Sequence, residues 1–205
     1  MTAPARMLVV GVTGSIGMGK TTTARLFARL GYPVFDADAV VHRLYAESGA
    51  AVPPIAREFP AAILGGVVDR RKLSTIVAGD REALARLEAI VHPLVRAEEQ
   101  EFLIAARGAG HRLAVLDIPL LFETGREKEV DAVIVASAPE DVQKARVRAR
   151  PGMTLETFAS IIARQLPDSE KRRRADFVVD TSRGLEMAFE QVRGIADELL
   201  RRGAR

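Results

Sequence analysis

Residues 14–21 read GSIGMGKT, which satisfies the pattern G-x-x-x-x-G-K-[ST] with Gly14, Gly19, Lys20 and Thr21 in its fixed places. A segment of this kind needs a strand before it and a helix after it. Both are present: MLVVGV at residues 7–12 is a short apolar run, and TTARLFARL at residues 22–30 opens a helix. Gly14, Gly17 and Gly19 let the backbone take conformations closed to other residues and turn a row of N–H groups toward one point. The helix beginning near Lys20 adds the positive end of its dipole. The stretch therefore predicts a cradle for the phosphates of a nucleotide, formed by Gly14, Ser15, Ile16, Gly17, Met18, Gly19, Lys20, Thr21 and Thr22. Lys20 is placed to reach the β and γ phosphates of ATP, and the Thr21 hydroxyl to ligate Mg²⁺. A ligand-free glycine turn would leave Lys20 and Thr21 with no packing reason to be there.

Length and composition set wider bounds. The 205 residues suit one α/β domain with insertions, or one domain and a small partner, and the absence of cysteine excludes disulfides and thiolate metal sites. The N-terminal MTAPAR leads into a strand too short to span a bilayer, so a cytoplasmic protein without a membrane partner is expected. Net charge is only +3, with basic residues concentrated between Lys144 and Arg174. That excess suits either nucleic acid or a small polyphosphate. Aromatics make up 5% of the chain, too few for the stacking platforms of single-strand binders, which disfavours specific nucleic acid.

Downstream, Val34-Phe35 runs as a strand into Asp36-Ala37-Asp38. In an open parallel sheet the ligand crevice lies beyond the carboxyl ends of the strands, which makes both aspartates site candidates. Each also has a structural alternative, capping the helix that starts near Ala39. Residues 39–110 read as mostly helical, with breaks at Pro53-Pro54, Pro60 and Gly65-Gly66 and a longest helix at residues 80–107. So long an excursion between strands predicts a substrate-holding insertion. Pro93 should bend or interrupt that helix, and His92 reads as a packed or surface histidine.

A second apolar strand, Leu113 to Leu116, ends in Asp117, the usual form of the element whose carboxylate faces magnesium and its waters; the alternative is a turn cap before Pro119. Residues 130–136 form another buried strand, and Pro139 opens a helix carrying Gln143, Arg146, Arg148 and Arg150. On a regular helix Arg146 and Arg150 share a face, with Arg148 about 200° round from Arg146. A partner helix follows at residues 154–165 across Pro151-Gly152, a hairpin suited to carry arginines to transferring phosphates as a lid. The alternative is a solvated basic face. Lys171-Arg172-Arg173-Arg174, the densest basic run, reads either as a solvated face or as a border of the nucleotide site. A last strand at residues 175–180 and an amphipathic helix with Leu185, Ala188, Phe189, Val192, Ile195 and Leu199 on one stripe close the chain.

Taken in order, these motifs resemble the dephospho-CoA kinase family. The resemblance rests on Gly11-Val12-Thr13-Gly14 before the cradle, Asp36-Ala37-Asp38, His92-Pro93-Leu94, the D-x-P-L-L-F-E segment from Asp117 to Glu123, and Q-x-x-R-x-x-x-R from Gln143 to Arg150. Arg164-Gln165, Lys171-Arg172 and Ala175-Asp176 match further motifs in part. It implies an α/β fold: a P-loop NTP hydrolase core of the nucleoside-kinase kind with a five-stranded parallel sheet, a helical CoA-binding insertion and a helical lid. The implied boundaries are core at residues 1–38, 111–138 and 170–205, insertion at 39–110 and lid at 139–169. The implied reaction is ATP-dependent phosphorylation of the ribose 3′-hydroxyl of dephospho-CoA, giving CoA and ADP. In that reaction Lys20 holds phosphates, Thr21 holds Mg²⁺, Asp117 positions the metal through its waters, Asp38 accepts or orients the proton of the attacking hydroxyl, and Arg146 and Arg150 come down with the lid. Two departures stand out: Thr181 follows the last strand where many members have asparagine, and residues 2–6 have no counterpart. The rival readings are another small-molecule kinase, a nucleic-acid ATPase using the basic stretch, and a GTPase switch. The last is excluded by the absence of asparagine, which an N-K-x-D guanine reader requires.

Overall fold

The computed structural model describes residues 6–203. The N-terminal extension therefore lies outside the described residues except for Arg6, whose guanidinium pairs with Asp131 at 2.5 Å. The chain divides into two compact units, one formed by the segments up to Phe35 and from Ala106 onward, the other by Asp36–Ala105.

The first unit is built on β1 (Leu8–Thr13), α1 (Lys20–Arg29) and β2 (Val34–Asp36), then β5 (Leu113–Asp117), β6 (Ala132–Ser137), α6 (Glu140–Arg148), α7 (Leu155–Ile162), α8 (Asp168–Arg174), β7 (Phe177–Asp180) and α9 (Leu185–Arg202). Its sheet has the order β2-β5-β1-β6-β7, with β1 parallel to β5 and β6, and β6 parallel to β7. The strands read as nearly unbroken apolar runs because both faces of a parallel sheet are covered. On one face Val10 and Val12 of β1, Leu113 and Val115 of β5 and Ala132 and Ile134 of β6 alternate toward Leu26 and Phe27 of α1 and Val192, Ile195 and Leu199 of α9. Phe27 is fully buried there, and burial of such a ring contributes about 1.5–3 kcal/mol. The opposite face packs just as closely, since a Cβ on Gly11 would lie 2.8 Å from Leu121 Cδ1.

The second unit holds α2 (Ala37–Tyr45), α3 (Val52–Glu58), a hairpin of β3 (Ile63–Leu64) and β4 (Val67–Val68), α4 (Arg70–Val77) and most of α5 (Arg81–Gly108). Its interior is Val40, Leu44, Ile55, Phe59, Leu73 and Val91. Gly65-Gly66, expected only as a break, is the turn of the antiparallel hairpin. The helix α5 runs through Pro93 without interruption. Pro93 and Ala89, the residue whose carbonyl the missing N–H would have served, are both exposed, on the face of the helix where the lost bond costs least. His92 is exposed on the same helix.

Candidate active site at the phosphate loop

The loop between β1 and α1 closes on itself where the Met18 N–H donates to the Ser15 carbonyl at 3.0 Å. Gly17 and Gly19 lie in the left-handed region, at φ 78° and 89°. Neither position has room for a side chain: a Cβ on Gly17 would stand 2.7 Å from Val147 Cγ2 of α6, and one on Gly19 2.9 Å from Thr181 Oγ1. The helix α1 starts on Gly19 with no side-chain cap and no acidic residue in its first turn, which leaves its leading N–H groups and dipole available to an anion. Thr21 and Thr22 are exposed at that turn, and Ser15, only 4% exposed, keeps a buried hydroxyl with no hydrogen-bond partner.

Lys20, 14% exposed, makes an ion pair with Asp117, which is 2% exposed at the last position of β5. The register explains the meeting, because Val12 of β1 stands opposite Asp117, at the point where the loop leaves the strand. A buried carboxylate costs several kcal/mol unless a cation compensates it, and Lys20 is that cation here. The donors of the loop, the Lys20 ammonium, the Thr21 hydroxyl and the Asp117 carboxylate are hard groups suited to a phosphate chain with a magnesium ion.

The helices beyond β6 grip the loop from outside. Gln143 of α6 donates from Nε2 to the Ile16 carbonyl at 2.7 Å, and the Ile16 N–H donates to Gln165 Oε1 at 3.1 Å. One loop residue is thus held by α6 and by the bend beyond α7, which ends at Ile162 rather than at Gln165 as the sequence suggests. Arg146 donates to Thr181 and to the Gly17 carbonyl. Helix α6 ends at Arg148, so Arg150 does not share a helix face with Arg146 as the sequence suggests. Pro151 and Gly152 follow, and the chain turns before the face is completed. Both arginines nonetheless border one cavity of about 340 Å³, together with Gly17, Gly19, Thr22, Thr181 and Leu185. At the last residue of β7 the backbone is fixed by Gln191, which exchanges hydrogen bonds with Asp180 at 2.9 and 3.0 Å. The Ser182 hydroxyl and then its N–H hold the Asp180 carboxyl below the ordinary carboxylate value.

Of the two early aspartates, Asp36 is the N-cap of α2, its Oδ1 accepting from the Ala39 N–H at 2.9 Å. Asp38 lies in the first turn of α2 with its side chain exposed.

Within the basic run at residues 171–174 only Lys171 is turned inward; Arg172, Arg173 and Arg174 are exposed, and Arg172 borders a second cavity, of about 570 Å³, with Met18, Ser137, Gln143 and Asp180. Lys171 is fully buried and pairs with Glu123 at 2.9 Å, and Glu123 also accepts from the Leu166 N–H at 2.8 Å. Arg172, Arg173 and Arg174 pair with Asp168, Glu170 and Glu127. Residue type alone hides this pair, since one lysine among four cations is singled out only by the rotation of α8. The one sequence signal was the position of Glu123 at the end of an apolar segment.

Among the described residues no helix is long and apolar enough to cross a membrane. A family model described as CoaE, dephospho-CoA kinase, matches residues 8–186. A dephospho-CoA kinase of Mesorhizobium japonicum is 58% identical over 193 residues, covering 94% of this chain and 97% of the relative. One from Rhizobium meliloti is 53% identical over 193 residues, covering 94% and 98%. Among solved structures, a Thermus thermophilus protein superposes with a TM-score of 0.83 at 37% identity over 95% of this chain and 98% of its own. A shikimate kinase of Acinetobacter baumannii shares the fold, with a TM-score of 0.51 at 18% identity over 97% and 96% of the two chains. With a family model matched over residues 8–186 and 53–58% identity to the Mesorhizobium and Rhizobium enzymes over 94% of its length, the chain belongs to the dephospho-CoA kinase family.

Proposed function

We propose that the phosphate loop and its neighbours divide the work of one reaction, transfer of the γ-phosphoryl group of ATP to the ribose 3′-hydroxyl of dephospho-CoA, giving CoA and ADP. The enzyme is a phosphotransferase with an alcohol as acceptor, in keeping with its family. The observation that carries the assignment of roles is the Lys20–Asp117 pair, a cation at the head of α1 matched to a buried anion at the end of the neighbouring strand.

Phosphoryl transfer asks the protein for alignment and for compensation of charge on the moving oxygens. The loop N–H groups other than those of Ile16 and Met18, which Gln165 and the Ser15 carbonyl already occupy, bind the phosphate chain with the first turn of α1, and Lys20 exchanges Asp117 for the β and γ phosphates. Thr21 and, through water, Asp117 would hold Mg²⁺, which when bound neutralises phosphate charge. Arg146 supplies positive charge to the transferring group from α6, with Arg150 in support from the turn beyond it. The cavity bordered by these arginines, Thr181 and Leu185 is suited to the rest of the nucleotide.

Asp38 acts on the acceptor, taking or orienting the proton of the 3′-hydroxyl. What supports this is its place two residues beyond β2, at the head of a helix, with Asp36 already committed to capping. Residues 39–110 hold the CoA moiety, residues 139–169 act as the lid, and the cytoplasm is the working compartment. A coupled ADP-release assay with dephospho-CoA, adenosine, AMP and a sugar as acceptors tests the reading. Dephospho-CoA alone should support rapid turnover; preference for any of the other three would refute it.

A further inference from the structure

Thr181, 7% exposed, follows β7 and has each of its polar groups engaged. Its N–H donates to the Ser137 carbonyl at 2.9 Å. Its carbonyl accepts from Arg146 Nη2 at 2.6 Å, and its Oγ1 accepts from Arg146 Nη1 at 2.9 Å. The hydroxyl has one proton to give, and the Met18 carbonyl at 2.8 Å is the nearer acceptor than that of Ser137 at 3.3 Å. One residue thus joins the end of β6, the phosphate loop and α6.

The grip on Arg146 is two-pointed. A guanidinium is planar, so two donors fixed on one residue set both its position and the tilt of its plane. A third contact, from Nη1 to the Gly17 carbonyl at 3.4 Å, turns the group along the loop. The groups that hold Arg146 are neutral, two carbonyls and a hydroxyl. By contrast Arg172, Arg173 and Arg174 each face a carboxylate, and Lys171 faces Glu123. Within this basic region Arg146 is oriented by neutral hydrogen-bond partners. The Asp180 carboxylate feels its charge, but is held below its ordinary value first by Ser182 and only in smaller part by Arg146, so the guanidinium is not tied up in a paired carboxylate. Thr181 also touches the other side of the site, because its Oγ1, Cβ and Cγ2 lie 2.9–3.0 Å from where a Cβ on Gly19 would stand, one residue before Lys20.

We propose that Thr181 is a positioning residue for phosphoryl transfer: its hydroxyl and carbonyl hold the Arg146 guanidinium in place, and its bond to Met18 registers that guanidinium against the loop that carries the phosphates. This rests on the role given to Arg146 above. The hydroxyl acts through Arg146 and touches no reacting atom.

The test is a double-mutant cycle of Thr181→Val, which keeps the shape and removes the hydroxyl, with Arg146→Ala, read as kcat and as KM for ATP. Thr181→Val should lower kcat by about 10- to 100-fold, the range expected for a misplaced charge, with a smaller change in KM. In the Arg146→Ala background it should lower kcat by less than about threefold, because the group it positions is gone. Thr181→Ser, which keeps the hydroxyl, should restore kcat to within about threefold of the parent. An equal fall in both backgrounds would mean that the hydroxyl merely supports Met18, and would overturn the proposal. So would parental kcat in Thr181→Val, or a loss in Thr181→Ser as large as in the valine variant. Arg146→Lys asks the same question should the valine variant fail to fold, since an ammonium keeps the charge but not the two-point grip. Its kcat should fall nearly as far as that of Arg146→Ala, and full activity would overturn the proposal. Parental kcat in Arg146→Ala would refute the role of Arg146 itself, an outcome separable from the rest because it appears without any change at Thr181.

Discussion

Lys20 and Asp117 are held by each other before any nucleotide arrives, so replacing either exposes two separate effects. Lys20→Met should cut turnover by about 10²- to 10³-fold, the usual effect of removing one group that stabilises a transition-state charge. It also leaves Asp117 buried without that cation, at a cost of about 3–5 kcal/mol in folding stability, which urea unfolding would detect. Parental stability in that variant would show that the pair is dispensable to the fold. Asp38→Asn should behave differently: turnover falls strongly while ATP still binds and stability hardly changes, because Asp38 is exposed on α2. Wild-type turnover in that variant would remove Asp38 from the chemistry. At this scale the sequence was informative where residue type and spacing are themselves the chemistry, as with Gly19, Lys20 and Thr21. It marked Thr181 only as a departure from the asparagine of many family members, since the contacts of a threonine after a strand are set by distant residues that gather around it.

Elements decide which side chains meet, and here the outcome turned on where helices end and how they rotate. Arg146 and Arg150 reach one cavity, but the early end of α6 at Arg148 brings them there from a helix and a turn rather than from one helix face. Spacing locates a helix well and its last turn poorly, since the ending depends on local turn chemistry such as that of Pro151 and Gly152. In the same way α8 turns Lys171 inward and leaves Arg172, Arg173 and Arg174 more exposed, which a run of like charges does not announce. Lys171→Met should therefore cost about 3–5 kcal/mol by leaving Glu123 buried without that partner. Adding Glu123→Leu should recover much of that loss; if the double variant is no more stable than Lys171→Met, the desolvation account of this pair fails. Gly17→Ala tests the seam between the loop and α6. The left-handed backbone costs about 1–3 kcal/mol for a residue with a side chain, and the new methyl meets Val147. KM for ATP should rise together with that loss of stability, and an alanine variant binding ATP as tightly as the parent would show that the seam does not shape the cradle.

For the whole molecule, the strand order β2-β5-β1-β6-β7 sets β1 between β5 and β6, so that the phosphate loop leaves the middle of the sheet. Asp117 comes from the strand on one side, while α6 and α7 follow the strand on the other. The apolar strand runs and the closing amphipathic helix made this core legible in advance, because burial on both faces leaves a continuous signal in the sequence. The second unit was legible as a helical excursion but not in its β3–β4 hairpin, whose two-residue strands are too short to show a period. Within the basic stretch that suggested nucleic acid, the densest run, Lys171 to Arg174, faces carboxylates on α8 and nearby. The most direct measurement follows the phosphoryl group itself: the purified protein is incubated with magnesium, dephospho-CoA and ATP labelled in its γ-phosphate. The label should appear in CoA, on the ribose 3′ position, in step with ADP formation. Label recovered only as inorganic phosphate, with dephospho-CoA unchanged, would contradict the account.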